Sequence, residues 1–166
     1  FLNAMRRVED DGLVLRELHL VVHSGMYGPM FGSTAWPEQF SPHEWRTMKL
    51  PLGPAAAAFF HACRSARWFA PFFARTFGVP AHGYHWYTTV SSAKHSFRWD
   101  WLGGRTAPLY IFGMPGRKSH GVPGSVRKYL GLARPEPMQR FAPTPVEGDP
   151  SYDAVAELYD RVFADI

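Results

Sequence analysis

The stretch Glu17-Leu-His-Leu-Val-Val22 decides the fold class, because it is short, mostly apolar and rich in branched residues. The turn His23-Ser24-Gly25 follows it, and an apolar run of this length that ends in a polar turn predicts a buried strand. Upstream, apolar residues recur at helical spacing over residues 1–11 until Asp11 and Gly12 end the pattern. We therefore predict a helix that leads into the first strand.

A second apolar run covers residues 55–62 and ends at Cys63. Its alanines favour a helix, but the run is short and follows two prolines and a glycine within residues 51–54, so we interpret it as a second strand. From residue 65 to residue 77 the aromatic side chains lie at helical spacing, and Gly78 comes next. That pattern predicts a helix with a glycine just past its last turn.

The remaining elements are predicted in the same way. Ser41, Pro42 and Glu44 have the pattern of a helix start, in which Ser41 is the cap, Pro42 the first helical residue and Glu44 the capping-box acid. Further predicted elements are strands at 79–84 and 109–112, a short helix at 123–130 and an amphipathic helix at 151–166.

This alternation of strands and helices predicts an α/β fold. We expect a three-layer sandwich with a small, mainly parallel sheet of about four to six strands, the ordinary size of a sheet. The chain has 166 residues, 46% hydrophobic, 16% aromatic and 19% charged, which suits a globular domain and excludes a disordered one.

Three segments are expected along the chain. Residues 1–134 form the α/β domain, residues 135–150 form a proline-rich linker, and residues 151–166 begin a following domain. The chain starts at Phe1 and stops inside a predicted helix, so we expect it to be a segment of a longer protein.

Composition also limits the setting of the protein. No apolar run reaches the roughly 18 residues that a membrane span needs, and the charged residues within positions 6–11 do not form a signal peptide, so no membrane partner is expected. The single cysteine excludes an internal disulfide and favours a cytoplasmic location. A net charge of +4 permits an anionic partner without requiring one.

Open α/β sheets carry their sites at the carboxyl ends of the strands, and two such ends here carry a base and a nucleophile. His23 follows the first strand and Cys63 the second. We expect the helix after Cys63, with Arg64 and Arg67, to stabilise a thiolate. His23 would act as general acid or base, and the backbone N–H of Gly25 would face a developing oxyanion.

Four further residues are predicted to line the approach to this pair. Ser24, Arg64 and Ser65 adjoin it in the chain, and His85 follows the third predicted strand. The histidines near that strand match no zinc-ligand spacing and lack partner cysteines, so no metal is expected.

Two blocks resemble the caspase/legumain/gingipain superfamily of cysteine peptidases. The first is Leu18-His-Leu-Val-Val-His23-Ser24-Gly25 and the second is Ala58-Phe-Phe-His61-Ala62-Cys63, at an interval similar to the family's. The resemblance covers about residues 15–90 and implies a caspase-like fold. It also implies that His23 is the general acid/base, Cys63 the nucleophile and Gly25 part of the oxyanion hole, with a peptide or protein as substrate. Ser24 departs from the pattern, since many members have glycine directly after the histidine.

A second resemblance lies in the segment Ser151-Tyr-Asp-Ala-Val-Ala-Glu-Leu-Tyr-Asp160, which is similar to the opening helix of class I S-adenosylmethionine-dependent methyltransferases. It implies that such an enzyme follows this domain. S-adenosylmethionine would then be the cofactor of the downstream domain and not of this one, and the two domains would contact each other within one protein.

The same residues also have purely structural interpretations. Cys63 is equally an inert core residue, His23 a strand cap that bonds a loop carbonyl, and His61 either a rival base or a packed histidine. The domain would then be a non-catalytic accessory module of the methyltransferase. The basic residues within 117–134 are interpreted as a solvated helix face, so nucleic acid is not expected, although an anion-binding surface is the third hypothesis.

Overall fold

A computed structural model describes residues 1–25, 28–32, 38–91, 110–114 and 136–144. The helices expected at 123–130 and 151–166 lie outside the described residues, as do residues 135 and 145–150 of the linker expected at 135–150. Within the described part the elements are, in chain order, α1 (Leu2–Asp10), β1 (Leu15–Val21), β2 (His23–Gly25), β3 (Gly28–Met30), α2 (Pro42–Thr47), β4 (Leu52–His61), α3 (Phe69–Phe77), β5 (Ala81–Gly83), β6 (Tyr87–Ser91), β7 (Tyr110–Met114) and β8 (Gln139–Phe141).

The central sheet has four strands in the order β1-β4-β5-β8. β1 runs parallel to β4, and β4 runs parallel to β5, whereas β8 is antiparallel to β5. The prediction of a mixed α/β chain with a small, mainly parallel sheet is therefore confirmed.

Two segments differ from the sequence-based expectation. Residues 139–141 fall within the expected linker, yet they form β8 and complete the sheet, with Phe141 opposite Ala81. The strand expected at 109–112 does not join the central sheet; it is β7, which pairs with β6 in a separate two-stranded sheet. Prolines lie on both sides of β8, so the sequence pattern resembles a linker. For that reason the pattern does not predict so short an edge strand.

The core lies on one face of the central sheet. Alternate residues of β1 and β4 point to this face, and they pack against aromatic side chains of α3. Trp45 of α2 is fully buried at its centre, with Phe69 and Phe73 at ring-centroid distances of 5.2 and 5.9 Å. All three described helices contribute to this one cluster, so the described part shows one helical layer of the expected three-layer sandwich.

The predicted start of α2 is confirmed in detail. Ser41 Oγ accepts the backbone N–H of Glu44 at 3.2 Å, and the Glu44 carboxylate accepts the backbone N–H of Ser41 at 2.7 Å, which is a capping box. This cap fixes where α2 begins and thereby holds Trp45 in the core.

Candidate functional site

The two candidate reactive residues follow neighbouring parallel strands at the same edge of the sheet. Val21, the last residue of β1, is paired with His61, the last residue of β4. His23 and Cys63 each lie two residues further along the chain. The two strands are therefore adjacent, as the predicted pair requires. His23 and Cys63 share no hydrogen bond within the described part of the chain.

His23 lies on β2, the first strand of a short hairpin, where it is exposed and paired with Met30. Gly28 of β3 anchors this hairpin to the core. A Cβ at position 28 would lie 2.3 Å from Cδ2 of Phe69, and the residue has a φ of 104°. Only glycine suits both the backbone angle and the close ring, so α3 sets the position of the hairpin that carries His23.

Ser24 and Gly25 belong to the same hairpin. Ser24 is paired with Pro29, and Gly25 closes the ladder opposite Gly28. Residues 28–30 form β3, the second strand of this hairpin.

Cys63 lies in the turn that joins β4 to α3, and it is half-buried. The backbone N–H of Thr88 donates to its Sγ at 3.3 Å, and the thiol lies 3.8 Å from the carbonyl oxygen of Thr88. The expectation that Cys63 adjoins a helix N-terminus is wrong, because α3 begins only at Phe69. The helix dipole weakens beyond the first turn and gives little at that separation.

Ser65 lies beneath the turn and does not line the approach, which corrects the sequence-based placement. It is 1% exposed, and its Oγ lies 3.0 Å from the carbonyl oxygen of Phe60 and 2.8 Å from that of Ala62. The same hydroxyl accepts the backbone N–H of Tyr84 at 3.1 Å. Its hydrogen-bonding capacity is used to join the end of β4 to the chain after β5.

Gly83 of β5 explains how this turn approaches the sheet so closely. A Cβ there would lie 2.8 Å from both the Ser65 Oγ and the Ala66 nitrogen. The backbone N–H of Ala66 also donates to the carbonyl oxygen of Tyr84 at 3.0 Å. The turn after Cys63 is therefore packed along residues 84–88 and is fixed by the backbone.

Two arginines project from this turn, and each lies over an aromatic ring. The Arg64 guanidinium carbon is 5.0 Å from the ring centre of Tyr87, and Arg64 also donates to the Tyr87 hydroxyl at 2.6 Å. The Arg67 guanidinium carbon is 4.3 Å from the ring centre of Trp86, and Arg67 Nε donates to the carbonyl oxygen of His85 at 2.9 Å. His85 therefore takes part in this arrangement through its backbone carbonyl, which accepts the hydrogen bond from Arg67.

Sequence reasoning missed the segment Trp86-Tyr87-Thr88, which supplies both rings and the partner of the thiol. The sequence feature that could have revealed it is the pair of aromatic residues directly after His85, which lies in a segment without helical or strand periodicity. The segment contacts residues about 20 positions earlier, and such pairing is not visible in local patterns.

A separate group of rings covers the sheet face opposite α3. His19 Nδ1 and His61 Nε2 are 3.1 Å apart, and His19 Nε2 is 3.0 Å from a Glu17 carboxylate oxygen. Burial, and then the neighbouring His19, lower the pKa of His61. Burial, and then the Arg140 guanidinium, lower the pKa of His82. One ring nitrogen of His61 is thus engaged with His19.

Neither a metal centre nor a membrane span is found in the described ranges. There, no group of three or more His, Cys, Asp or Glu side chains is arranged to hold a metal ion. Of the helices formed by these residues, none combines the length and apolar character needed to cross a bilayer.

Comparison with protein-family models, with curated proteins and with solved structures returned no match for this chain. The geometry of the residues themselves is therefore the basis for any functional assignment.

Proposed function

We propose that this chain carries a caspase-like, cysteine-type peptidase centre, in which Cys63 is the nucleophile and His23 the general acid/base. One observation supports this proposal most strongly: β1 and β4 are parallel neighbours, and the pairing of Val21 with His61 brings the chain at both strand ends to one edge of the sheet. Sites of α/β proteins lie at that edge.

The reaction follows from these two groups. The Cys63 thiolate attacks the carbonyl carbon of a peptide bond, and His23 gives a proton to the departing amine. A thioester remains on Cys63. His23 then takes a proton from water, which attacks the thioester, releases the acid and returns the thiol. The Thr88 amide, which donates to Sγ at 3.3 Å, offers a contact that an anionic sulfur also accepts.

The substrate would approach along the outer side of this edge. Ser24 and Arg64 directly follow His23 and Cys63 in the chain, and the His85 carbonyl accepts from Arg67 of the same turn as Cys63. Gly25, by its resemblance to the family's histidine-glycine block, would offer its N–H to the oxyanion. The missing hydrogen bond between His23 and Cys63 does not weigh against the proposal, because catalytic contacts often tighten only once substrate is bound.

The test is the rate of Cys63 alkylation by iodoacetamide at neutral pH. Cys63 is the single cysteine, so the signal has one source. We expect His23→Ala to slow the reaction about tenfold, because an imidazole beside a thiol stabilises its thiolate. His43→Ala, an exposed histidine on α2, is the control and should leave the rate unchanged. Equal rates in all three proteins would refute the pair.

A second candidate function is a non-catalytic accessory module that precedes a methyltransferase. The observation that favours it is the double contact of the Cys63 sulfur with the Thr88 backbone, which is also what a structural thiol makes. S-adenosylmethionine would then be bound by the downstream domain, in a cytoplasmic protein. Under this proposal Cys63→Ala lowers the free energy of unfolding by about 1 kcal/mol and His23→Ala leaves alkylation unchanged.

A further inference from the structure

The two arginines beside Cys63 have the properties of a ligand site. Arg64 and Arg67 are both exposed, and they are joined within one turn, since the Arg67 N–H donates to the Arg64 carbonyl oxygen at 3.0 Å. We propose that they bind an oxyanion, a carboxylate or a phosphate, carried by an acidic peptide.

Both side chains are held in place before any ligand arrives. Each guanidinium lies over an aromatic ring, at 5.0 Å from Tyr87 and 4.3 Å from Trp86, and each makes one hydrogen bond to a neutral oxygen. An arginine stacked in this way loses less conformational freedom on binding than a free surface arginine.

Most donors of the two groups have no partner among the described residues. A guanidinium has five N–H groups, and Arg67 spends only its Nε–H, on the His85 carbonyl. The outer edge formed by its two terminal nitrogens is the edge that pairs with a carboxylate or phosphate through two parallel hydrogen bonds. Arg64 spends one terminal N–H on the Tyr87 hydroxyl.

No carboxylate within the described residues neutralises either charge. The acceptors used by Arg64 and Arg67 are a phenol oxygen and a backbone carbonyl. Among the residues that the structure describes, these two positive charges therefore have neutral partners, and they attract an anion from outside.

The turn that carries these charges is fixed by the fold. Arg64 has a φ of 58°, a left-handed value that is uncommon for a residue with a side chain. Its N–H donates to the carbonyl oxygen of Trp86, while the neighbouring Ala66 N–H donates to Tyr84. Backbone strain that the surroundings maintain is typical of functional positions.

The size of the site selects the class of ligand. Two guanidiniums neutralise about two charges, whereas a nucleic acid needs an extended basic surface that contacts many phosphates. A short peptide with acidic or phosphorylated side chains fits this local charge. The proposal is independent of catalysis, because binding requires the arginines and not the thiol.

The experiment measures fluorescence anisotropy of three labelled peptides at low ionic strength. One alternates glycine with glutamate, one has glutamine in place of glutamate, and one has phosphoserine. The variants are Arg64→Gln/Arg67→Gln and, as a charge-matched control, Arg6→Gln/Arg7→Gln on the exposed surface of α1. A Cys63→Ala protein reports binding without the thiol.

We expect the wild type, the Cys63→Ala protein and the α1 control to bind the anionic peptides alike, and the Arg64/Arg67 variant to bind them about tenfold more weakly. The glutamine peptide should bind weakly to all four proteins. The stronger of the glutamate and phosphoserine peptides identifies the oxyanion. Equal binding by the Arg64/Arg67 variant and the α1 control would overturn the proposal, as would equal binding of the glutamate and glutamine peptides by the wild type when the phosphoserine peptide binds no better.

The Arg67→Lys variant tests whether binding depends on the positive charge of Arg67 or on the geometry of its guanidinium. It keeps the positive charge but lacks the planar fork and the stacked contact with Trp86. We expect intermediate affinity from this variant, whereas full wild-type affinity would contradict the paired hydrogen bonds that the proposal assigns to Arg67.

Discussion

The two faces of the central sheet are built by the same strands and have opposite characters. On one face Leu18 and Phe60 are buried against α3, in a cluster made almost entirely of hydrocarbon. On the other face His19, Phe59 and His82 form a row of parallel rings across three strands, with centroid spacings of 4.5 Å. That spacing follows the distance of roughly 4.8 Å between neighbouring strands.

The difference arises from the alternation of side chains along each strand, which places neighbouring residues in two different environments. Because side chains alternate, a shift of one residue exchanges the whole of one face for the other. His19 and His61 are tolerated on strands that also supply the apolar core because they bond to each other and because Glu17 accepts from His19. The first face stabilises the fold, and the second presents titratable groups.

The largest expected effect comes from removing one ring from each face of β4. Phe60 is fully buried, so Phe60→Ala should lower the free energy of unfolding by about 3–5 kcal/mol through lost burial and a cavity. Phe59 is half-buried on the other face, so Phe59→Ala should cost about half as much. Urea denaturation of both variants measures the difference, and equal losses would mean that the two faces are equally packed.

A smaller effect is expected at Ser65, the buried polar residue at the carboxyl end of the core face. Ser65→Ala leaves the Tyr84 N–H without its acceptor and should cost about 1–3 kcal/mol. Thr47→Ala is the matched control, since its exposed hydroxyl makes one bond to the Glu44 carbonyl, and it should cost under about 0.5 kcal/mol. Thermal unfolding compares the two, and a neutral Ser65→Ala would show that the turn does not depend on this hydroxyl.

The smallest expected effect is a pH dependence of the free energy of unfolding, caused by the histidines on the sheet face opposite α3. The pKa of His61 and that of His82 are lowered by folding, so the unfolded chain binds more protons below about pH 6.5. The free energy of unfolding should therefore fall as pH drops from 7 towards 5. The buried Nδ1 of His61 has no hydrogen-bond partner among the described residues, which suits the neutral ring and penalises the charged one.

His61→Gln should flatten this pH dependence, because it removes the more buried of the two titrating groups. His43→Gln on the exposed side of α2 should leave the slope as it is in the wild type. Denaturant midpoints at several pH values measure the slopes. A His61→Gln protein with the wild-type slope would assign the dependence to other groups.

Local patterns predicted the frame of the site well. The apolar runs before His23 and Cys63 are strands, and the capping box at Ser41 and Glu44 forms as expected. The start of α3 was misplaced because Trp68 continues its aromatic pattern, while the hydrogen bonds of Ser65 and Ala66 with Tyr84 hold this segment in turns. A tertiary contact overrode the local helical preference there.

By itself the sequence determined the two strands, their polar ends and the mixed α/β class, because periodicity and length are local properties. Only the tertiary structure decided that β1 and β4 are parallel neighbours, that β8 completes the sheet and that Trp86 and Tyr87 lie under the two arginines. Those contacts join residues distant in the chain, and the turn that carries the two arginines also needs the close approach that Gly83 permits. The sequence shows that a histidine and a cysteine follow these two strands, but only the packing of the fold decides which residues lie beside them.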